Sequence, residues 1–301
     1  MGSSDLSPPG GVHALVTRQI VEAIERGAGT FTMPWHGAGH ARTRPANAAT
    51  RKPYQGVNVL SLWAEGVARG YGSGAWASYR QWQELGAQVR RGEHGSVVVF
   101  YRKLDSDADE EERPRLIARA SRVFNAAQVD GWGAEPPPAR EEISDKPTAD
   151  LIVIGSRAVI EHGGTRAYYD RRQDLIVLPD RSRFRATATS SVTESFYAVL
   201  LHELTHWTGA DNRLNRQFGS RFGDEAYAFE ELVAELGAAF LCADLGVCNA
   251  PRADHAAYVT SWLRVLKDDT RMIFTASRLA SEAAKFLMDV GRSAGPALPA
   301  A

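Results

Sequence analysis

Two histidines separated by three residues, His202 and His206, come together only where the chain between them is helical. At 3.6 residues per turn, positions i and i+4 lie one above the other on one face. Both imidazoles of His202-Glu203-Leu204-Thr205-His206 can then reach one ion at the roughly 2.0–2.1 Å that a Zn–N bond requires. The flanking residues supply the helix. Val192, Phe196, Val199, Leu200, Leu204 and Trp207 recur at helical spacing and predict a helix over Ser190 to Trp207, with the histidine pair off its apolar stripe. Glu203 projects from the same turn, where its carboxylate can act as general base toward a water at the ion and then pass the proton to a leaving amine.

This spacing is the signature of zinc metallopeptidases. A catalytic zinc keeps three protein ligands, so a third must come from elsewhere. His202 to Asn212 follows the HExxHxxGxxH pattern as far as Gly209, but Asn212 then stands at the last His position and Asp211 falls one residue early. The better candidate is Glu231, on a second helix predicted over Glu225 to Leu245, where Glu231 and Glu235 share a face at i and i+4. That arrangement resembles thermolysin-like zincins, which implies Glu231 as metal ligand and Glu235 as the acid that orients a histidine N–H. Glu230 is expected to point into solvent. Glu230, Glu235 and Asp211 remain alternatives for the third position. The expected ion is zinc, with manganese or nickel as alternatives. Asp174 to Pro179 reads as a strand upstream of the metal helix, either an edge that pairs with an extended peptide or an ordinary structural strand.

The rest of the chain divides by composition. Residues 1–104 hold 12 Lys+Arg against 6 Asp+Glu, residues 105–146 hold 6 against 11, and residues 147–301 hold 17 against 19. A basic front joined through an acidic stretch to a near-neutral back suggests two parts with different partners. Ala134 to Ala149 (AEPPPAREEISDKPTA) has no apolar period and reads as a linker. The expected organisation is α+β in two domains: 1–133 with mixed helix and antiparallel sheet, a Pro-rich linker at 134–149, and 150–301 with a mainly helical back half. Cys242 and Cys248 give no disulfide framework, no apolar run suits a membrane span, and the first residues lack the order of a signal peptide. A cytoplasmic location with no membrane partner is expected. The oligomeric state is not specified.

Four of seven tryptophans, Trp35, Trp63, Trp76 and Trp82, lie in the basic front, interleaved with Arg51, Lys52, Arg90 and Arg91. Cations that track phosphates beside rings that stack on bases are how unpaired nucleic acid is held. Trp35, Tyr54 and Trp76, in or beside loops, are the stacking candidates. Trp63 and Trp82, on predicted helices, are expected in the core.

The segments PANAATRKPYQGVN, GYGSGAWASYRQWQELGAQVRRGEHGSVVVFYRK and RVFNAAQVDGW resemble the N-terminal domain of ArdC antirestriction proteins, which also resembles the front of plasmid TraC primases. HELTHWTG with RLNR and AFEELVAELGAAFL resembles the zincin-like metallopeptidase domain of the same family. The likeness runs from about residue 12 to 290. It implies a plasmid-borne protein that binds single-stranded DNA and protects incoming DNA from restriction during conjugation. By position it places Asn47, Arg51, Lys52, Tyr54, Asn58, Trp76, Gln81, Arg90, Arg91 and Gly92 in the DNA motifs, and His202, Glu203, His206 and Glu231 in the metal motif. Ala210 stands where the family pattern often has histidine, which favours Glu231. Two other functions remain: a zinc protease delivered by its DNA domain to protein substrates on DNA, and a DNA-binding protein with a structural metal site. The second is disfavoured by Glu203, since a structural site needs no general base.

Overall fold

The computed structural model describes residues 11–28, 43–103, 116–133, 147–186, 190–216, 225–247 and 256–295. The front half carries α1 (Gly11–Ala28), β1 (Ala46–Asn47), α2 (Val57–Arg69), β2 (Ala75–Ala77), α3 (Tyr79–Glu84), β3 (Gln88–Val89), β4 (Ser96–Lys103), β5 (Leu116–Asn125) and β6 (Val129–Asp130). The back half carries α4 (Pro147–Ser156), β7 (Val159–His162), β8 (Tyr168–Asp170), β9 (Leu175–Leu178), α5 (Val192–Thr208), α6 (Glu225–Leu245), α7 (Ala256–Asp268) and α8 (Met272–Ala294). The expected α+β class is what the chain adopts. Among the described residues, no helix is long and apolar enough to cross a membrane.

Local chemistry sets the element ends. Ser78 and Ser191 each close a capping box, with Gln81 at the start of α3 and Glu194 at the start of α5, satisfying N–H groups that the first helical turn leaves orphaned. α2 stops at Gly70, which takes the left-handed conformation (φ 65°). The Val- and Phe-rich run 96–103 forms β4, paired antiparallel with β5 from Ser96↔Val123 to Lys103↔Leu116. β5 continues against β2, and β2 runs parallel to β1, giving the order β1-β2-β5-β4.

In the back half β9 lies between β7, parallel to it, and β8, antiparallel to it. The edge-strand expectation for Asp174–Pro179 is therefore corrected. Both sides of β9 are already hydrogen-bonded, so it has no free ladder for a peptide. Arg213, just after α5, ties this sheet to the metal helix: its guanidinium bonds Asp174 and the Tyr169 hydroxyl, donates to the Trp207 carbonyl, and lies 3.9 Å from the centre of the Trp207 ring.

One apolar core runs through both halves, from Val16 and Ile20 of α1 and Trp63 of α2 to Leu204, Phe240 and Leu287. The Trp63 and Phe240 rings meet at 5.9 Å across the divide. α4 begins at Pro147, inside the stretch that reads as linker, and buries Ala149; residues 134–146 lie outside the described residues. A Cβ on Gly155 would fall on the Val290 carbonyl, so α4 and α8 cross in close contact.

Candidate metal centre

α5 is buried over nearly all of Phe196–Thr208, so the His-Glu-Leu-Thr-His turn sits inside the protein: His202 is 3% exposed, Glu203 3% and His206 8%. The spacing alone suggested a polar helix face; in the fold, α6 covers it. That close approach needs a residue without a side chain, and Gly237 provides it: a Cβ there would stand 2.5 Å from Thr205 Cγ2. With α6 so close, Glu231 reaches between the two rings, its carboxylate oxygens 3.6 Å from His202 Nε2 and 3.6 Å from His206 Nε2. Donor atoms of His202, His206 and Glu231 all lie within 4.8 Å of one another.

This set fits a divalent ion. Two nitrogens and a carboxylate oxygen are the donors zinc and its neighbours take, and tetrahedral ligands at about 2.1 Å stand about 3.4 Å apart, close to the separations here. The electrostatics agree. Burial works to lower His206 and to raise Glu231, but their facing charges and hydrogen bonds overcome it. His206 is held up at about 10 and Glu231 well below the usual carboxylate range. An ion held here would displace any proton on the ring nitrogens, because only the neutral imidazole and the ionised carboxylate are ligands.

The groups behind the ligands differ in part from expectation. Glu235, expected behind a histidine, has its Oε2 3.6 Å from His202 Nδ1. Glu230, expected in solvent, is 3% exposed and faces His206 Nδ1 at 3.2 Å. The reason is the turn that follows α5. It folds Arg216 beneath the helix, where the guanidinium bonds both Glu230 oxygens (3.0 and 2.7 Å), the Thr205 carbonyl (2.6 Å) and the Thr208 hydroxyl (2.8 Å). Arg216 thus supplies the counter-charge that lets a carboxylate sit buried behind a metal ligand. Burial raises Glu230, and its bonds to His206 and Arg216 bring it below the ordinary carboxylate value. Adjacent acids on α6 divide the labour: Glu231 meets the ring nitrogens that face the ion, and Glu230 meets the far nitrogen of His206. Asp211 pairs with Arg171 at the surface and is not among the residues whose donor atoms converge.

The residues placed in the DNA motifs separate into two groups. Several are framework. Trp76 is 1% exposed and Tyr54 6%, so the expectation that their rings stack on bases is corrected; the loop-like composition GYGSGAW conceals the short strand β2, whose Trp76 packs against Tyr71. Asn58 clamps β4 through both its amide atoms, donating to the Val99 carbonyl at 2.8 Å and accepting from the Val99 N–H at 2.7 Å. Asn47 donates to Gln81 Oε1 (3.1 Å), and Arg90 donates to the carbonyls of Ala127 and Val129 and to Glu93. Arg51, Lys52 and Arg91 are exposed. Trp35 lies outside the described residues, as does Cys248; Cys242, Trp63 and Trp82 are buried in the core as expected.

Residues 11–129 match the model of the N-terminal domain of the anti-restriction factor ArdC, and residues 147–279 match that of the zincin-like metallopeptidases. The metal-free crystal structure of the antirestriction protein ArdC from plasmid R388 agrees with a TM-score of 0.77 at 37% identity, covering 94% of this chain and 98% of that one. The chain belongs to the ArdC antirestriction family. The Mn(II)-bound structure of the R388 protein gives a TM-score of 0.75 at 37% identity, covering 93% of this chain and 98% of that one. The uncharacterized protein y4eC of Sinorhizobium fredii is 44% identical over 296 residues, 95% of this chain and 94% of its own length. A DNA primase TraC of Escherichia coli is 35% identical over 300 residues, 92% of this chain and only 27% of the primase. Family membership brings a zincin-like domain with a divalent metal and an antirestriction, DNA-related role.

Proposed function

We propose that this chain binds single-stranded DNA and shields incoming plasmid DNA from restriction during conjugation, and that His202, His206 and Glu231 form a working peptidase site. Residues 1–133 would supply much of the DNA-facing part and residues 150–301 the metal part. The observation that carries the reading is the convergence of those three ligands with Glu203 in the same buried helical turn, in a chain of the antirestriction family. His202, His206 and Glu231 would hold the ion, zinc by donor set, with manganese supported by the R388 relative's Mn(II) form. When bound, the ion supplies a Lewis acid that acidifies water and polarises a peptide carbonyl. Glu203 takes the proton of the attacking water on its carboxylate and delivers it to the leaving nitrogen. Glu230 and Arg216 fix the His206 ring, so that its Nε2 lone pair faces Glu231's side of the site.

A second reading is a protease directed to proteins bound on DNA; Glu203 is common to both readings and counts against a purely structural metal site, which would not need it. Glu203→Gln separates the two: it keeps the three ligands and removes the base. Restriction protection that survives while peptide cleavage vanishes supports protection by DNA occlusion, whereas loss of both, with DNA binding intact, supports proteolysis. A parent chain that neither binds single strands nor protects transferred DNA contradicts the proposal.

A further inference from the structure

A cleft of about 1240 Å³ opens between the two halves. It lies away from the metal: Asp244 on its wall is 13 residues along α6 from Glu231, about 20 Å at 1.5 Å per residue. Small-molecule pockets run roughly 300–1,000 Å³, so the space suits a larger ligand. One wall is the end of β4 with the Pro53–Asn58 turn, part of the RKPYQGVN motif, and the other is the outer face of α8. The walls are fixed to each other. The Gly56 N–H donates to Ser281 Oγ on α8 at 3.2 Å, and Asn58 clamps β4 from the opposite side.

The α8 wall carries cations at a strict interval. Arg271, Arg278, Lys285 and Arg292 follow at seven-residue steps, all lining the cleft. Two turns of helix separate each from the next, about 10.5 Å, so the row extends about 30 Å along one face. With Arg44 the lining counts five cations against two carboxylates, Asp244 and Glu282; Arg44 is itself paired with Asp244 and only 11% exposed, and Arg292 is paired with Asp289. The pairs Arg278–Glu282 and Lys285–Asp289 place the cation N-terminal to the acid at i,i+4, the weaker order, and all four side chains are more than 40% exposed. Phosphates can displace such partners. No ion pair of the Arg271 side chain occurs among the described residues. At the β4 end of the cleft, Phe100 and Tyr101 belong to the lining and are each 51% exposed, and the Tyr101 hydroxyl lies 3.2 Å from His13 Nε2.

We propose that this cleft is the path of the DNA strand, with phosphates along Arg271, Arg278, Lys285 and Arg292 and bases on Phe100 and Tyr101. A linear row of charge matches a linear polyanion. Half-exposed rings in the same cleft match unpaired bases, because a duplex hides its base faces. The path involves both halves, so α8 is as much part of the DNA site as the front motifs are. This inference rests on the single-strand reading above.

The test uses the full chain, a fluorescent 15-nucleotide oligo-dT and anisotropy titrations at several salt concentrations. Arg278→Ala with Lys285→Ala changes two exposed side chains and should leave the thermal transition in place. Affinity should fall at least tenfold at low salt, and the slope of log K against log salt should shrink by about 1.4, at about 0.7 per lost phosphate contact. Phe100→Ala should weaken binding at least fivefold with the slope unchanged, as a lost stacking contact would. If the parent chain binds and both variants match it in affinity and slope, the path is wrong while the function stands. If the parent chain does not bind oligo-dT at all, the function reading fails, and the path with it. A duplex of equal length that binds as tightly through the same residues overturns the assignment to an unpaired strand.

Discussion

Arg216→Met would leave Glu230 buried behind the metal site with its main counter-charge gone. The guanidinium makes two bonds to that carboxylate, at 3.0 and 2.7 Å, and Glu230 is 3% exposed, so water cannot replace it. Removing one member of such a buried pair costs about 3–5 kcal/mol, most of it the penalty of the remaining charge. At roughly 2–4 °C per kcal/mol for domains of 150–250 residues, the thermal midpoint of the metal-free protein should fall by roughly 6–20 °C in scanning calorimetry. The same change should loosen His206 and weaken zinc by about 10–100-fold in competition with a chromophoric chelator. Adding Glu230→Gln removes the stranded charge while keeping an acceptor for His206 Nδ1, so Arg216→Met with Glu230→Gln should be more stable than Arg216→Met alone. A double variant destabilised by the full sum of the two singles would refute the argument, as would a cost below about 1 kcal/mol for Arg216→Met.

Gly237→Ala should destabilise by about 1–3 kcal/mol and lower metal occupancy, because its methyl would stand 2.5 Å from Thr205 Cγ2 and force α6 off α5. Thr205→Ala in the same chain should recover most of both effects in melting and metal analysis. Asp174 behaves differently, being at the surface. Its hydrogen bond from Arg213 holds its carboxyl below the ordinary value, so its contribution is present at neutral pH and is lost as pH falls through the folded-state pKa. Asp174→Asn, which tolerates the positive φ of 51° there, should cost under about 1 kcal/mol at pH 7, and the difference should close in acid, once the pH has fallen below the depressed folded-state pKa. A gap in denaturant midpoint that persists in acid would contradict this sign.

The metal helix and its partner were legible because each carries a long apolar period. His202 and His206 sit at i and i+4, which a helix must bring together, whereas Glu231 on the second helix was legible only through its own i,i+4 pairing with Glu235 and the likeness to zincins. What was not legible lay in contacts between distant segments. Glu230 and Arg216 are charged, and local pattern assigns charged residues to solvent; only the turn after α5 makes each the other's partner. β9 reads as a strand, but whether a strand is central or an edge depends on β7 and β8, which the run LIVL does not encode. Tyr54 and Trp76 sit among glycines and polar residues, yet β1, β2 and β5 draw them inward. The Pro-rich stretch before α4 separates the two parts that the two family models match, but it does not encode the core they share. The shared core, with Trp63 against Phe240, arises from side chains more than 170 positions apart.

The most direct measurement is elemental analysis of the purified chain beside Glu231→Ala, with circular dichroism to establish that both are folded. Parent protein should carry close to one zinc or manganese per chain, and the variant essentially none at an unchanged spectrum. A variant that keeps its ion, or a parent that takes up none when offered zinc and manganese in turn, would contradict the central claim.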